Sequence, residues 1–270
     1  MSDAATTLHA HGLSRRAWLA AGFGADRSWA QPASQRVPVL CYHRVAATEA
    51  DGMTLRSANF AAQLSSIEGL GCRLVPLADV VAYRLGRLAS LPPRALALSI
   101  DDGHRSVHEA MAPLLLARRW PVTLFIYPSA ISNARYALRW EQLRTLADTG
   151  LFSVQSHTYW HAHLLRERRL RTPADYQDFA SVQLRRAKET LEARLGAVVS
   201  LLAWPFGLYD AGLCELARQA GYEAAFALGG RACTLDDPVF ALPRYLMVDS
   251  ITPKRLTGLL LHAFGEVPGR

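Results

Sequence analysis

The stretch Ala95-Leu96-Ala97-Leu98-Ser99-Ile100-Asp101-Asp102-Gly103 decides the fold. It is an almost unbroken apolar run that stops at two carboxylates and a glycine. A strand covered on both faces reads this way, as in a parallel sheet, and its acidic end marks the sheet edge where chemistry collects in α/β folds.

Outward from this run, short apolar segments alternate with longer segments of helical periodicity, the pattern of strand and helix units around a parallel sheet. Strands are expected at 37–41, 73–75, 95–100, 122–127, 152–155, 198–203, 224–227 and 241–248, and helices near 57–70, 77–88, 106–118, 139–149, 174–195, 210–220 and 252–264. Seven or eight such units suggest a distorted (β/α) barrel more than an open sheet. Pro76, Pro92, Pro93, Pro121, Pro128 and Pro238 fall between the periodic segments, where a missing amide does least damage. Gly150 and Gly221 follow helical segments as C-terminal caps do. No internal repeat or long linker divides the chain, so residues 36–270 are expected to form one domain.

The 270 residues, half of them apolar, are enough to bury one sizeable core. The longest apolar stretches, 17–25 and 259–261, are far short of the roughly 20 residues that span a bilayer, so no transmembrane helix is expected. A formal charge of +7 is compatible with anionic polymers. The one dense basic cluster, Arg166-Glu167-Arg168-Arg169-Leu170-Arg171, has no interleaved aromatics and belongs to no nucleic-acid module, so it reads as a solvated face and no nucleic-acid partner is expected.

Near the N-terminus, Ser14-Arg15-Arg16-Ala17-Trp18-Leu19 precedes a short apolar segment ended by Asp26 and Arg27. The pattern resembles a twin-arginine export signal, with a cleavage site loosely suggested at Ser28-Trp29-Ala30. Residues 1–35 are thus either an export leader to the periplasm or a disordered one, in which case the protein stays in the cytoplasm. Cys41, Cys72, Cys214 and Cys233 have no metal-ligand spacing, which leaves open one disulfide or four buried thiols.

After the segment expected at 152–155 comes Ser156-His157-Thr158-Tyr159-Trp160-His161. Asp102, His157 and His161 offer one oxygen and two nitrogen donors, a set suited to zinc that leaves a position for water. Asp101, not needed as a ligand, is placed to take a proton from that water. Each element alone has a plainer explanation, an Asp-Gly turn or surface histidines. Their joint position at one sheet edge favours the metal reading.

Ser99 to Gly103 and Ser156 to His161 resemble the first two motifs of the polysaccharide deacetylase family, carbohydrate esterase family 4. Ala203-Trp204-Pro205-Phe206-Gly207 resembles its third motif, in the variant of the poly-N-acetylglucosamine deacetylases, and Trp140-Glu141-Gln142-Leu143 and Ala220-Gly221-Tyr222 are also similar. The likeness covers roughly residues 37 to 250. It implies a distorted (β/α) barrel and a divalent cation, zinc or else cobalt, nickel or iron, held by Asp102, His157 and His161. It implies Asp101 as catalytic base and removal of acetyl groups from an N-acetylated sugar polymer. The Phe206 amide falls where the family steadies an oxyanion, and Trp204, Pro205 and Phe206 stand at the substrate position.

Two departures matter. Ala203 stands where many members carry an arginine that orients the base; Arg244 is the candidate substitute, since a guanidinium fork grips a carboxylate at two points, although an unrelated structural ion pair is equally open. The family's late histidine motif is absent, and His262 lies in an amphipathic helical pattern. Cys41-Tyr42-His43-Arg44-Val45 is similar to the early Tyr-His element of the poly-N-acetylglucosamine subgroup, which implies His43 as general acid. Other substrates remain open: peptidoglycan, chitin oligosaccharides or an O-acetylated polymer. A glycan-binding relative without turnover is the rival from another class.

Overall fold

The computed structural model describes residues 35–48 and 51–266. The export-leader motif of residues 1–35 therefore lies almost entirely outside the described residues.

The strands are β1 (Val39–Tyr42), β2 (Arg44–Ala46), β3 (Thr54–Arg56), β4 (Arg73–Leu74), β5 (Ala95–Asp101), β6 (Val122–Ile126), β7 (Phe152–Ser156), β8 (Leu201–Ala203), β9 (Ala224–Phe226) and β10 (Tyr245–Leu246). The α-helices are α1 (Ser57–Gly69), α2 (Leu77–Arg84), α3 (Ala112–Ala117), α4 (Trp140–Asp148), α5 (Leu164–Glu167), α6 (Pro173–Leu195), α7 (Ala211–Gln219) and α8 (Pro253–Ala263). A π-helical turn, Val107–Met111, leads into α3. Among the described residues no helix is long and apolar enough to cross a membrane.

The main sheet runs β10-β1-β5-β6-β7-β8-β9 with β4 beside β5, and every pairing is parallel. It curls until its ends meet through one segment. Leu242 exchanges hydrogen bonds with the end of β9, its amide donating to Ala225 and its carbonyl accepting from Ala227, while Tyr245 and Leu246 pair with β1. The strand expected at 241–248 is thus interrupted, by a 3₁₀ turn at Val239–Ala241 and by Pro243, which has no amide to donate. The two-stranded β2–β3 ribbon carries no apolar run long enough to announce itself.

Strand parity explains the core. On β5, Leu96, Leu98 and Ile100 pack outward with the helices, and Ala95 and Ala97 pack inward with Phe125, Ala203, Ala224, Phe226 and Leu242. The alanines among these leave room for the two phenylalanine rings inside the barrel. The same alternation carries Ser99 and Asp101 to the inner face. Helix starts follow local chemistry: the Thr172, Asp210 and Thr252 side chains accept from amides in the first turns of α6, α7 and α8. Gly150 and Gly221 do end helical segments in the left-handed region.

The sheet has one thin seam. β7 and β8 pair at a single register position, Ser156 with Leu202. Side chains supply what the ladder lacks, since Gln155 Oε1 accepts from the amides of Ser200 and Leu201 at 3.0 and 2.8 Å.

Candidate metal and catalytic site

Asp101 ends β5, on the inner face, and is 2% exposed. Both its oxygens accept from Arg244: Nη1 donates to Oδ1 at 2.7 Å and Nη2 to Oδ2 at 2.8 Å. Arg244, itself 1% exposed, also donates to Ser99 Oγ and the Ala227 carbonyl, and its guanidinium lies over the Phe125 ring at 5.3 Å. Burial works against ionisation of Asp101, but the Arg244 charge, helped by His157, outweighs it and holds the carboxyl well below the usual carboxylate range. Cys41 Sγ donates to Asp101 Oδ2 at 3.4 Å, and burial pushes this thiol far up. All four cysteines are free thiols.

His157 follows β7 directly and is 1% exposed. Its Nδ1 donates to the Ala203 carbonyl at 2.8 Å, reaching across the thin seam, which fixes the tautomer and leaves Nε2 bare. That Nε2 lies 3.6 Å from Asp102 Oδ1, as does His161 Nε2. The three residues' donor atoms all lie within 4.8 Å of one another. Burial pushes the His157 imidazole down to about 3 and lowers His161 as well, so both present neutral nitrogens at neutral pH. Burial raises the Asp102 carboxyl, against the pull of His43, and its Oδ1 is buried with no hydrogen-bond partner. An orphaned carboxylate oxygen facing two bare imidazole nitrogens is a poor protein interior and a good cation cradle. The residues fit a divalent metal.

The backbone is bent to achieve this. Asp102, Thr158, His161 and Phe206 all have φ between 59 and 74°, a region that costs a non-glycine residue of order 1 kcal/mol or more. Gly103 continues the bend at φ 74°, and a Cβ there would stand 2.9 Å from Ile126 Cδ1 and 3.2 Å from Ile131 Cδ1. The turn after β5 admits only glycine without something moving.

A cavity of about 380 Å³ opens over these groups. His43, between β1 and β2, lines it too, and one of its ring nitrogens lies within 4.8 Å of Asp101 and Cys41. The Phe206 ring, 53% exposed, stands edge-on to His161 with centroids 4.6 Å apart. Trp204 is fully buried and its indole N–H donates to the Phe240 carbonyl, so it forms the floor of the cavity rather than a face for a sugar. Pro205 is buried beside it. His262 lies on α8, away from the cavity and exposed. Of the basic cluster, Arg168 and Arg171 pair with Asp210 and Glu167 and cover the rings of Tyr176 and Phe179. Met53, Leu228 and Leu246 complete the cavity wall and carry no motif by which the sequence betrays them.

A parallel barrel with carboxylates and histidines gathered where its strands end is a scaffold for a metal-assisted reaction. The family model for polysaccharide deacetylases matches residues 89–225, just over half of the sequence, and the chain belongs to that family. Among curated relatives, the poly-β-1,6-N-acetyl-D-glucosamine N-deacetylase of Escherichia coli K12 is 22% identical over 86% of this chain and 39% of its own length. The enzyme of that name from Staphylococcus epidermidis is 22% identical over 70% of this chain and 66% of its own. The chain thus spans about two fifths of the Escherichia coli relative. Among solved structures, the Streptococcus pyogenes deacetylase PplD in complex with acetate superposes with a TM-score of 0.74 at 18% identity, covering 84% of this chain and 99% of that one. IcaB from Ammonifex degensii gives 0.72 at 24%, covering 84% and 97%. These likenesses show the barrel fold.

Proposed function

We propose that this chain hydrolyses the acetamide of N-acetylglucosamine units in a polysaccharide, releasing acetate and leaving a free amine. The observation that carries the proposal is the convergence, in one cavity, of a three-donor cation cradle and a separate, Arg244-gripped carboxylate. Asp102, His157 and His161 are the groups that hold the cation, with zinc best suited to two imidazoles and a carboxylate. When bound, such a cation polarises the acetamide carbonyl and lowers the pKa of a water toward neutrality, which suits a base as weak as a salt-bridged aspartate.

Asp101 takes a proton from the attacking water, and Arg244 keeps both carboxylate oxygens aimed while it does so. The Phe206 amide offers its N–H to the oxyanion that develops on the carbonyl. His43, in the wall of the same cavity, hands a proton to the departing nitrogen, so that the sugar leaves as an amine. The exposed Phe206 ring offers an apolar face to the sugar.

The names of the relatives favour a β-1,6-linked N-acetylglucosamine polymer or a related exopolysaccharide as substrate. Such a polymer lies outside the cytoplasm, in keeping with export by the Arg15-Arg16 leader, and the periplasm is the proposed location. Acetate release from a panel of N-acetylated glycans, with and without chelator, tests the reading. Metal-dependent release from the β-1,6-linked polymer supports it. Preference for peptidoglycan, chitin oligosaccharides or an O-acetylated polymer moves the substrate. Glycan binding with neither metal nor acetate release overturns it in favour of a binding protein.

A further inference from the structure

Beside the candidate site lies a second cavity, of about 390 Å³, whose wall carries Arg105, Arg135 and Arg139. All three side chains are exposed. Some guanidiniums of this chain meet carboxylates, Arg87 with Glu223, Arg94 with Glu266, Arg218 with Glu215 and Arg231 with Asp237, and others, such as Arg73 and Arg169, stand alone on the surface among the described residues. Among the described residues, none of the three cavity arginines forms such a pair, and Glu109 in the same wall is not within ion-pair distance of them. Three like charges around one hollow repel each other and favour an anion between them.

The start of α4 does not compete for that anion. The Arg139 amide already donates to Gln142 Oε1 at 2.9 Å, and the Trp140 amide to Ser132 Oγ at 3.1 Å. What remains free is the guanidinium groups, whose forked donors match carboxylate and phosphate oxygens.

Tyr136 links this cavity to the catalytic one. Its carbonyl accepts from the Arg105 amide at 2.7 Å, and its hydroxyl lies 2.6 Å from that of Tyr127. The Tyr127 ring is in turn 5.4 Å from the His161 ring. Tyr136 is 45% exposed and stacks on His104. A chain of contacts through Tyr127 and Tyr136 thus runs from His161 to the backbone of Arg105 in the wall of the arginine cavity.

We propose that Arg105, Arg135 and Arg139 form a subsite for an acidic group, a carboxylate or a phosphate, carried by the glycan near the sugar whose acetamide is cleaved. The proposal rests on the deacetylase reading for its chemistry and moves the preferred substrate from the neutral β-1,6-linked homopolymer to an acidic related exopolysaccharide. A neutral N-acetylglucosamine homopolymer gains nothing from these charges, and its deacetylated stretches, bearing ammonium groups, are repelled by them. The subsite therefore selects an acidic heteropolymer and sheds cationic product.

The test compares three N-acetylglucosamine oligosaccharides of equal length: neutral, with alternating uronic acids, and with phosphate substituents. Two readouts are taken with wild type and with an Arg105→Gln/Arg135→Gln variant: kcat/KM for acetate release, and equilibrium binding to each protein in an Asp101→Asn background, at low and high salt. The expected result is that an acidic glycan is preferred over the neutral one, and that the double variant and high salt each shrink this preference by about tenfold or more in both readouts. Which acidic glycan is preferred tells carboxylate from phosphate. Equal handling of neutral and acidic glycans by wild type, or a preference untouched by the double variant, overturns the proposal. If no glycan yields acetate yet acidic binding still follows the arginines, the deacetylase reading fails and the subsite stands.

Discussion

Arg244 reaches across the inside of the barrel to grip both oxygens of Asp101, at 2.7 and 2.8 Å, with neither side chain open to solvent. Replacing it by methionine keeps the volume and removes the charge. Breaking a buried pair on one side costs about 3–5 kcal/mol, so Arg244→Met should unfold at distinctly lower denaturant. The pH consequence has a definite sign. With the guanidinium present, the Asp101 carboxyl is held below the usual range, so the pair's stability contribution exists above the unfolded carboxylate value of about 3.9 and is lost only as pH falls through the lower folded value. With it gone, burial acts against only the pull of His157 and His43 and raises the carboxyl, so the acid limb of the kcat/KM profile should move to higher pH. An unmoved limb in a folded variant would show that Arg244 does not set the state of Asp101.

Asp101 and Asp102 are neighbours to which the proposed mechanism gives separate tasks. Asp101→Asn should keep bound metal and lose turnover by a factor of about 10² or more, the range of a general base. His157→Ala should lose both, because it removes a donor and the hydrogen bond to the Ala203 carbonyl. Metal content by mass spectrometry alongside acetate release checks the pair; normal turnover by either variant would sink the assignment.

Metal removal should abolish acetate release, and zinc, cobalt, nickel or iron should restore it in differing degree. The apo protein should also melt at lower temperature, since a ligand that binds only the folded state stabilises it by mass action. Calorimetry with and without chelator reads this without a substrate. Release that survives complete metal removal would contradict the mechanism.

Gly103→Ala places a Cβ 2.9 Å from Ile126 Cδ1 in a backbone region disfavoured for alanine. The expected cost is about 1–3 kcal/mol, with Asp102 displaced and metal affinity lowered along with stability. Titration of the metal into purified variant measures it; wild-type affinity would mean that the turn tolerates a side chain.

Phe206 separates backbone from side chain. Phe206→Ala keeps the amide, so KM should rise several-fold through the lost ring while kcat stays within about threefold. A kcat collapse at unchanged KM would place the ring, not the amide, in the transition state.

The barrel was legible because Ala95 to Ile100 and its companions carry the parity of strands buried on both faces, which composition alone expresses. The motif residues gathered as their placement at strand ends implied: Asp102, His157 and His161 share one cradle, and Arg244 meets Asp101. Illegible features have physical reasons. The left-handed backbones of Asp102, Thr158, His161 and Phe206 are imposed by tertiary contacts against local preference, so nothing local announces them. β2 and β3, three residues each, pair along a three-position ladder beside an ion pair of Arg44 with Asp51, too short a run for periodicity to announce. Trp204 reads in sequence like a sugar platform and lies buried because its N–H finds Phe240, 36 positions along the chain.

The segment that closes the sheet is also the one that carries Arg244. Residues 242–246, seated between β9 and β1, contribute none of the cradle's donors and the whole of the guanidinium grip on Asp101. The aiming of Asp101 and the closing of the sheet are then a single event. A sheet open at that seam keeps the donors of the cradle and loses the grip on Asp101, so architecture and aim stand or fall together.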